Sequence, residues 1–337
     1  MLFGTIRGSD KKVARLICGG DRSFGLDTRM LDHAFERGIN AFDTARVYGP
    51  SEGILGRWLK TRRREDVFIV SKGGFPRRIG HRLNRKEITR DLDMSLMELG
   101  TDFIDAYFFH YDAIKVPPEA IVELAAELVA SGKVGVVGYS NFTPARLQQI
   151  QKVAARAKSP GLSLVSAQMS LPVSREIMWP WPGSVSISGP AERATRQWIS
   201  QHDLAVVAYS CLGRGFFTKA FWDQVEHSRS HPVPPLPESS WLRKKLRVVL
   251  AEKEPIDEHW LLRKYDSPGN REIYRRALEL AGSKGVSAAQ IGLAYLFHKN
   301  LNLFAVVGWS NDARCDENAA AMDIVLSDGE IAWLEGE

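Results

Sequence analysis

Short, nearly continuous apolar runs recur along the chain, and several of them end on a polar or ionisable residue. Gly38-Ile39-Asn40-Ala41-Phe42 is closed by Asp43, with Tyr48 five residues further on. Val67-Phe68-Ile69-Val70-Ser71 is closed by Lys72, and Ile104-Asp105-Ala106-Tyr107-Phe108-Phe109 by His110. Apolar runs of this length, without strict alternation, read as strands buried on both faces, as in a parallel sheet. The first strand candidate is Val13–Cys18, and seven others centre on Ala41, Ile69, Tyr107, Val136, Val165, Val206 and Val306. Upstream, Leu2 to Ile6 and the polar Arg7-Gly8-Ser9-Asp10 turn predict a hairpin.

Between these runs the apolar period changes from continuous to helical. Ile88, Leu92, Leu96 and Leu99 fall on one helical face, and Asn84 with Glu87 has the pattern of a capping box at its start. Ile121, Leu124, Ala125, Leu128 and Val129 form the next face, which Gly132 closes. Thr143-Pro144 opens another helix as N-cap and first-turn proline. Ser287 with Gln290, and Ser327 with Glu330, predict two further capping boxes.

Alternating strand and helix signals predict a single-domain α/β fold over residues 1–337: a (β/α)8 TIM barrel with the N-terminal hairpin at its bottom. Polar residues gathered at the C-terminal ends of successive parallel strands are the mark of such a barrel's active face. A carboxylate, a phenol, an amine and an imidazole together suit a proton-donating site. Two segments break the rhythm. Pro172 to Pro190 follows the sixth strand and carries Trp179-Pro180-Trp181-Pro182. An insertion of approximately 216–269 follows the seventh; it contains His231-Pro232-Val233-Pro234-Pro235-Leu236-Pro237 and a basic, helix-like piece around Trp241 to Lys253. Both fall on the side of the barrel where substrates bind, so a substrate-covering role competes with that of a tolerated surface insertion.

Composition narrows the function classes. The chain has 337 residues, 44% hydrophobic and 25% charged, with a net charge of +5. That balance suits a globular protein that takes an anionic ligand, and no dense basic stripe with interleaved aromatics points to nucleic acid. Cys18, Cys211 and Cys315 have no CxxC spacing, so neither a metal site nor a disulfide framework is expected, and a reducing compartment fits. The first residues lack a signal-peptide pattern and no apolar stretch is long enough to span a bilayer, so the expected location is cytoplasmic. No Gly-x-Gly-x-x-Gly follows a strand, so a Rossmann cradle is not expected.

Asn40-Ala41-Phe42-Asp43-Thr44-Ala45-Arg46-Val47-Tyr48-Gly49, followed by Ser51-Glu52 and Leu55-Gly56, resembles the signature of the aldo-keto reductase family. Matching segments follow in order: Ser71-Lys72, Tyr107-Phe108-Phe109-His110, Gly138-Tyr139-Ser140-Asn141-Phe142, Gln168, Tyr209 to Gly215, Gly308-Trp309-Ser310, Arg314 and Glu317-Asn318. The resemblance covers nearly the whole chain apart from roughly 221–269. It departs from the family pattern at Cys211, where a proline is usual, and at Thr218-Lys219-Ala220, where a frequent lysine is displaced by one.

The resemblance implies an oxidoreductase that uses NADPH/NADP+ to reduce an aldehyde or ketone, possibly sugar-like. Tyr48 is then the general acid, positioned and tuned by Asp43, Lys72 and His110. A free tyrosine, with a pKa near ~10, is a sluggish donor at neutral pH, and a nearby ammonium is expected to lower it. Buried alone, Lys72 would lose its proton, so Asp43 serves as its counter-ion. Ser140, Asn141 and Gln168 would hold the carboxamide, and Tyr209 would stack on the nicotinamide. Ser210, Leu212, Gly213 and Arg214 would line the pyrophosphate, Ser310 and Arg314 the 2′-phosphate, and Glu317 and Asn318 the adenine. Gly20, Asp21, Asp43 and Gly308 complete the implied cofactor set. Substrate contacts are expected from Tyr48, His110, Phe75, Tyr111, Trp179 and Trp181. Two alternatives stand beside the reductase: a nicotinamide-binding regulatory or sensor protein, as the related potassium channel β subunits show, and a sugar oxidase or epimerase with bound cofactor. The small-molecule carbonyl partner is expected; the oligomeric state stays open.

Overall fold

The computed structural model describes residues 1–21, 26–76, 81–159, 161–175, 184–230 and 259–337. Eight parallel strands close into a barrel: β3 (Leu16–Gly19), β4 (Ala41–Asp43), β5 (Phe68–Gly73), β6 (Ile104–Phe109), β7 (Val134–Ser140), β8 (Leu164–Gln168), β9 (Ala205–Tyr209) and β10 (Asn302–Val307), which returns to pair with β3. Each predicted strand is present at its predicted place. The first one is split. Val13–Ala14 (β2) turns away to pair antiparallel with Phe3–Gly4 (β1), and only Leu16–Gly19 enters the barrel. The hairpin so formed sends Ile6 and Val13 into the barrel's interior cluster, which closes the bottom.

One phase of the pleat fills the barrel. Ile17, Ala41, Phe68, Val70, Ala106, Phe108, Val136, Leu164, Ala205, Val207 and Phe304 pack against one another inside. The alternate residues, such as Leu16, Phe42, Ile69 and Tyr107, pack outward under the helices. Successive side chains on a strand point to opposite faces. Two residues beyond the inward Ala41, Val70 and Phe108 stand Asp43, Lys72 and His110. The interior packing therefore also fixes which way the polar strand ends point. Each large interior ring contributes about 1.5–3 kcal/mol through burial.

The helices begin and end as their sequences predict. Asn84 accepts from the Glu87 N–H at the start of the helix Arg85–Leu99, although the Glu87 carboxylate turns to Arg82 instead of completing a capping box. Thr143 caps Pro144–Arg156, and both serine-initiated helices, Ala288–Phe297 and Asp328–Glu335, carry complete capping boxes. Gly132, at φ 74°, follows the end of Pro118–Ala130 in the left-handed conformation that glycine adopts without strain.

The described ends of the insertion are helical, Lys219–Ser230 and Trp260–Tyr265. With Phe216 they build a third apolar cluster from Phe221, Val225, Trp260, Leu262 and Tyr265. Trp222 stacks on Tyr274 at 4.0 Å, which ties this cluster to the helix Pro268–Lys284. The proline-rich stretch and the basic piece around Trp241 to Lys253 lie outside the described residues, as do Trp179 and Trp181. No helix among the described residues is long and apolar enough to cross a membrane.

Candidate active site and cofactor cleft

A cleft of about 890 Å³ opens at the C-terminal ends of the strands. Its floor carries the three strand-end groups Asp43, Lys72 and His110, together with Tyr48 from the turn after β4. Lys72 Nζ is ion-paired with Asp43 and donates to the Thr44 carbonyl at 2.9 Å. The same ammonium lies 4.8 Å from the centre of the Tyr48 ring. Tyr48 and the His110 imidazole are 6.0 Å apart, edge to face. Asp43, Lys72 and His110 are all buried.

Neighbouring residues fix this group from behind. Thr44 N–H and Arg46 N–H donate to the Val70 and Lys72 carbonyls, so the Asp43-to-Tyr48 segment is hydrogen-bonded to the end of β5. The buried Glu52 accepts from Ser71 Oγ at 2.8 Å and is ion-paired with Arg46. On the other side, Asn141 Nδ2 donates to the His110 carbonyl at 3.3 Å, and Tyr209 Oη donates to Asn141 Oδ1 at 2.6 Å. Asn141 holds a positive φ of 60°, an uncommon conformation for a non-glycine residue that its side-chain bonds sustain.

Burial lowers the His110 pKa well below that of a free histidine, and the Lys72 charge pushes it the same way, so the ring is neutral. Tyr48 departs from the sequence expectation. Burial, together with the negative charges of Asp43 and Asp21, raises its pKa well above 10 rather than lowering it. Burial is the main physical reason, and the Asp43 carboxylate, ion-paired with Lys72 beside the phenol, adds to it. Burial pushes the Asp43 carboxyl upward while Lys72 opposes that push.

The remainder of the cleft suits a long phosphorylated ligand. Residues 210–218 form consecutive turns, with Gly213 N–H bonded to the Ser210 carbonyl at 2.9 Å and Thr218 N–H to Gly215 at 2.9 Å. Ser210, Gly213, Arg214 and Gly215 all have positive φ. Turns of this kind turn successive backbone N–H groups to one side, a concavity that attracts anions. Ser210, Leu212 and Arg214 line the cleft there. At the far end Gly308, Ser310, Arg314, Glu317 and Asn318 line it, beside the N-terminus of the helix Asp312–Ala320. Arg314 is half exposed and pairs with Glu317 at 2.8 Å.

The structure thus brings Asp43, Tyr48, Lys72, His110, Phe75, Tyr111, Ser140, Asn141, Tyr209 and Asp21 to the same cleft as this phosphate-suited rim. Three expected cofactor contacts are not part of its lining. Gln168 is fully buried beneath residues 184–188; its amide donates to Ser170 at 2.8 Å and accepts from Ser188 at 3.1 Å. Gly20 gives its N–H to the Asp43 carbonyl at 2.8 Å, and a Cβ there would meet that oxygen at 2.5 Å, so it serves close packing of β3 on β4. Gly213 sits inside its turn, against Phe216, Pro172 and Tyr265. Lys219 pairs with Asp223 on the surface, whereas Cys211 does line the cleft, buried, with its thiol pushed up to about 12. Sequence reasoning missed Ser166, Phe217 and Ala289 in the lining. Ser166 was signalled by its strand phase, two residues beyond the inward Leu164. Phe217 and Ala289 carry no local signal.

A model of the Aldo/keto reductase family matches residues 22–336. The chain belongs to the aldo/keto reductase family. It is an oxidoreductase of that family, whose members use NADPH/NADP+. Among curated relatives, it is 27% identical over 320 residues to the aldo-keto reductase yakc [NADP(+)] of Schizosaccharomyces pombe, covering 93% of this chain and 82% of the relative. It is 26% identical to versiconal hemiacetal acetate reductase of Aspergillus parasiticus, over 91% of this chain and 84% of that one. It is 24% identical to L-glyceraldehyde 3-phosphate reductase of Escherichia coli O157:H7, over 91% and 82%. The fold matches that of a thermostable aldo-keto reductase, Tm1743, solved with the inhibitor epalrestat: TM-score 0.69 at 22% identity, over 100% of this chain and 99% of that one.

The residues present fit the family's cofactor on this chain's own geometry. The turns at 210–218 and the guanidinium of Arg314 supply anion donors at two separated points of one cleft. The buried His110 Nδ1, at the floor, has no hydrogen-bond partner among the described residues.

Proposed function

We propose that this chain reduces an aldehyde or ketone to an alcohol with NADPH, and that Tyr48 delivers the proton. The observation that carries this reading is the convergence of Tyr48, the Asp43–Lys72 ion pair and a neutral His110 on one cleft floor. When bound, NADPH supplies the hydride that the carbonyl carbon accepts.

The chain's own groups then handle the proton. A neutral imidazole donates a hydrogen bond to the substrate oxygen and orients it without adding a charge. The phenol keeps its proton until an alkoxide, a much stronger base, develops within reach; the O–H bond of Tyr48 then breaks as the alcohol O–H forms. The phenolate left behind lies against the Lys72 ammonium, so Lys72 stabilises a charge that exists only after proton transfer. In this account the raised proton affinity of Tyr48 keeps it a loaded donor at neutral pH.

Ser140 and Asn141, both in the cleft lining, would hold the carboxamide, with Tyr209 as the stacking surface. The turns at 210–215 would take the pyrophosphate, and Ser310 with Arg314 the 2′-phosphate; a planar guanidinium suits phosphate oxygens. Phe75 and Tyr111 form the described aromatic wall for substrate.

The test is NADPH consumption by the purified chain with a panel of reactive aldehydes and ketones, the alcohol being quantified alongside. Oxidation of NADPH with matching alcohol supports the reading. Tight nucleotide binding without turnover across the panel would instead favour the regulatory or sensor alternative.

A further inference from the structure

The imidazole of His110 is held in an unusual way. Its buried Nδ1 makes no hydrogen bond among the described residues, so no such bond there fixes the ring's rotation. Packing does so instead. The Phe75 ring meets it edge to face at 4.9 Å, and Tyr111 stacks beside it at 5.6 Å. Phe75 itself rests edge-on against Tyr111 at 5.4 Å. Of the rings around His110, Phe75 is the nearest, and its position bears directly on the orientation of the imidazole.

Phe75 stands on the segment that leaves β5 just after Lys72, and a pair of buried charges outside the cleft ties that segment down. Asp91, on the helix Arg85–Leu99, accepts from the Gly74 N–H at 2.9 Å with one oxygen and from Arg82 Nη2 at 2.6 Å with the other. Arg82 donates in addition to Glu87 at 2.7 Å, and its second terminal nitrogen lies 3.5 Å from the Phe75 carbonyl. Arg82 and Asp91 are 8% and 3% exposed, so this is a largely desolvated pair. Gly74 has a φ of +74°, and a Cβ there would meet Ile88 Cδ1 at 2.6 Å. The positive φ favours glycine, and a side chain there would also have to displace the Ile88 methyl on the helix face.

We propose that the Arg82–Asp91 pair is a positioning clamp that fixes Phe75 against His110 and thereby determines which carbonyl compounds the site accepts. The selectivity claim rests on the reductase reading; the geometric claim does not. A bulky aromatic carbonyl compound depends on the Phe75 wall more than a small aliphatic aldehyde does. Loss of the clamp then costs the bulky substrate more.

Two readouts test this on the full-length chain. The first is the His110 ring resonance, assigned by its disappearance in His110→Gln. Arg82→Met is expected to shift it in the same sense as Phe75→Leu, because one displaces the neighbouring ring and the other removes it, so that both weaken its ring current on His110, and Arg82→Lys should restore most of the wild-type position. The second is kcat/KM. Arg82→Met should lower it about 10–100-fold for a bulky aromatic aldehyde, the scale of a small misplacement at a reacting centre. The loss should be several-fold smaller for a small aldehyde, with NADP+ affinity changed by less than about twofold. In the Phe75→Leu background the same substitution should add little, which is the signature of two residues acting as one unit. If Arg82→Met does not fold, Glu87→Ala, which removes one Arg82 partner at a partly exposed position, should move both readouts in the same direction by less. An unchanged His110 resonance in a folded clamp variant overturns the proposal, as do fully additive losses. If the wild type turns over no carbonyl compound, the reductase reading fails while the resonance still decides the clamp.

Discussion

Asp43, Lys72 and His110 are almost wholly enclosed, the first two as an ion pair and the third packed among rings, whereas Arg314, at the other end of the same cleft, is half exposed and pairs with Glu317. The floor is built on strand ends whose direction is set by the barrel's interior packing. The rim is built on turns with positive φ and on the first turn of a helix. The difference teaches where function and stability are coupled. On the floor a change of one group leaves its partner charged and buried. At the rim it would remove one proposed ligand contact and leave the protein's own packing intact. Floor substitutions should therefore be large and non-additive, and rim substitutions smaller, separable and sensitive to salt.

The largest expected effect falls on the floor's ion pair. Lys72→Met leaves the Asp43 carboxylate buried without its counter-ion and should lower unfolding stability by about 3–5 kcal/mol. Pairing it with Asp43→Leu should recover a substantial part of that loss, because two apolar residues replace two charges. Denaturant unfolding of the single and double variants measures this. Strictly additive losses would break the comparison, since they would make the floor behave like the rim.

Arg314→Ala should sharpen it from the other side. A charge-assisted hydrogen bond contributes about 1.5–3 kcal/mol, or roughly 10–150-fold in affinity, and exposure places Arg314 toward the lower end. Titration by protein fluorescence should show weaker NADPH binding, NADH binding nearly unchanged, and a gap between wild type and variant that narrows as salt rises. Thermal stability should stay at the wild-type level. Equal wild-type affinity for NADPH and NADH would contradict the assignment of the 2′-phosphate site.

The smallest effect concerns protonation. The folded His110 pKa lies below that of the unfolded chain, near ~6.5. Below that value the unfolded state binds a proton that the folded state refuses. The stability that the neutral ring contributes is therefore present above about pH 6.5 and is lost progressively as pH falls toward the lower, folded pKa. Wild-type Tm should fall between neutral pH and about pH 5 by more than that of His110→Phe. Parallel Tm curves would show that the floor tolerates charge as the rim does.

Much of this contrast was legible in the sequence, for a physical reason. Parallel strands buried on both faces leave unbroken apolar runs, and the residue that ends each run inherits the strand's inward phase. Asp43, Lys72 and His110 could be read that way, and Ser166 obeys the same rule. The parts that were not legible depend on what packs above a position. Gln168 also has the inward phase, yet residues 184–188 cover it and its amide turns to serines. Val13–Ala14 continues an apolar run but is drawn off by Phe3–Gly4. The proton affinity of Tyr48 follows from a balance between Lys72, Asp43 and burial that spacing does not reveal. Trp179 and Trp181, expected over the substrate, lie outside the described residues.

The central claim is that Tyr48 is the proton donor of a preformed floor. Its most direct test is the Tyr48→Phe variant, assayed for carbonyl reduction and, in parallel, for NADPH affinity. The ring and its packing are kept while the transferable proton is removed. The account predicts a loss of roughly 10²–10⁴-fold in kcat, the usual contribution of a general acid, with NADPH affinity unchanged. Wild-type turnover of a reactive aldehyde by Tyr48→Phe would contradict it, and would assign the proton to another group.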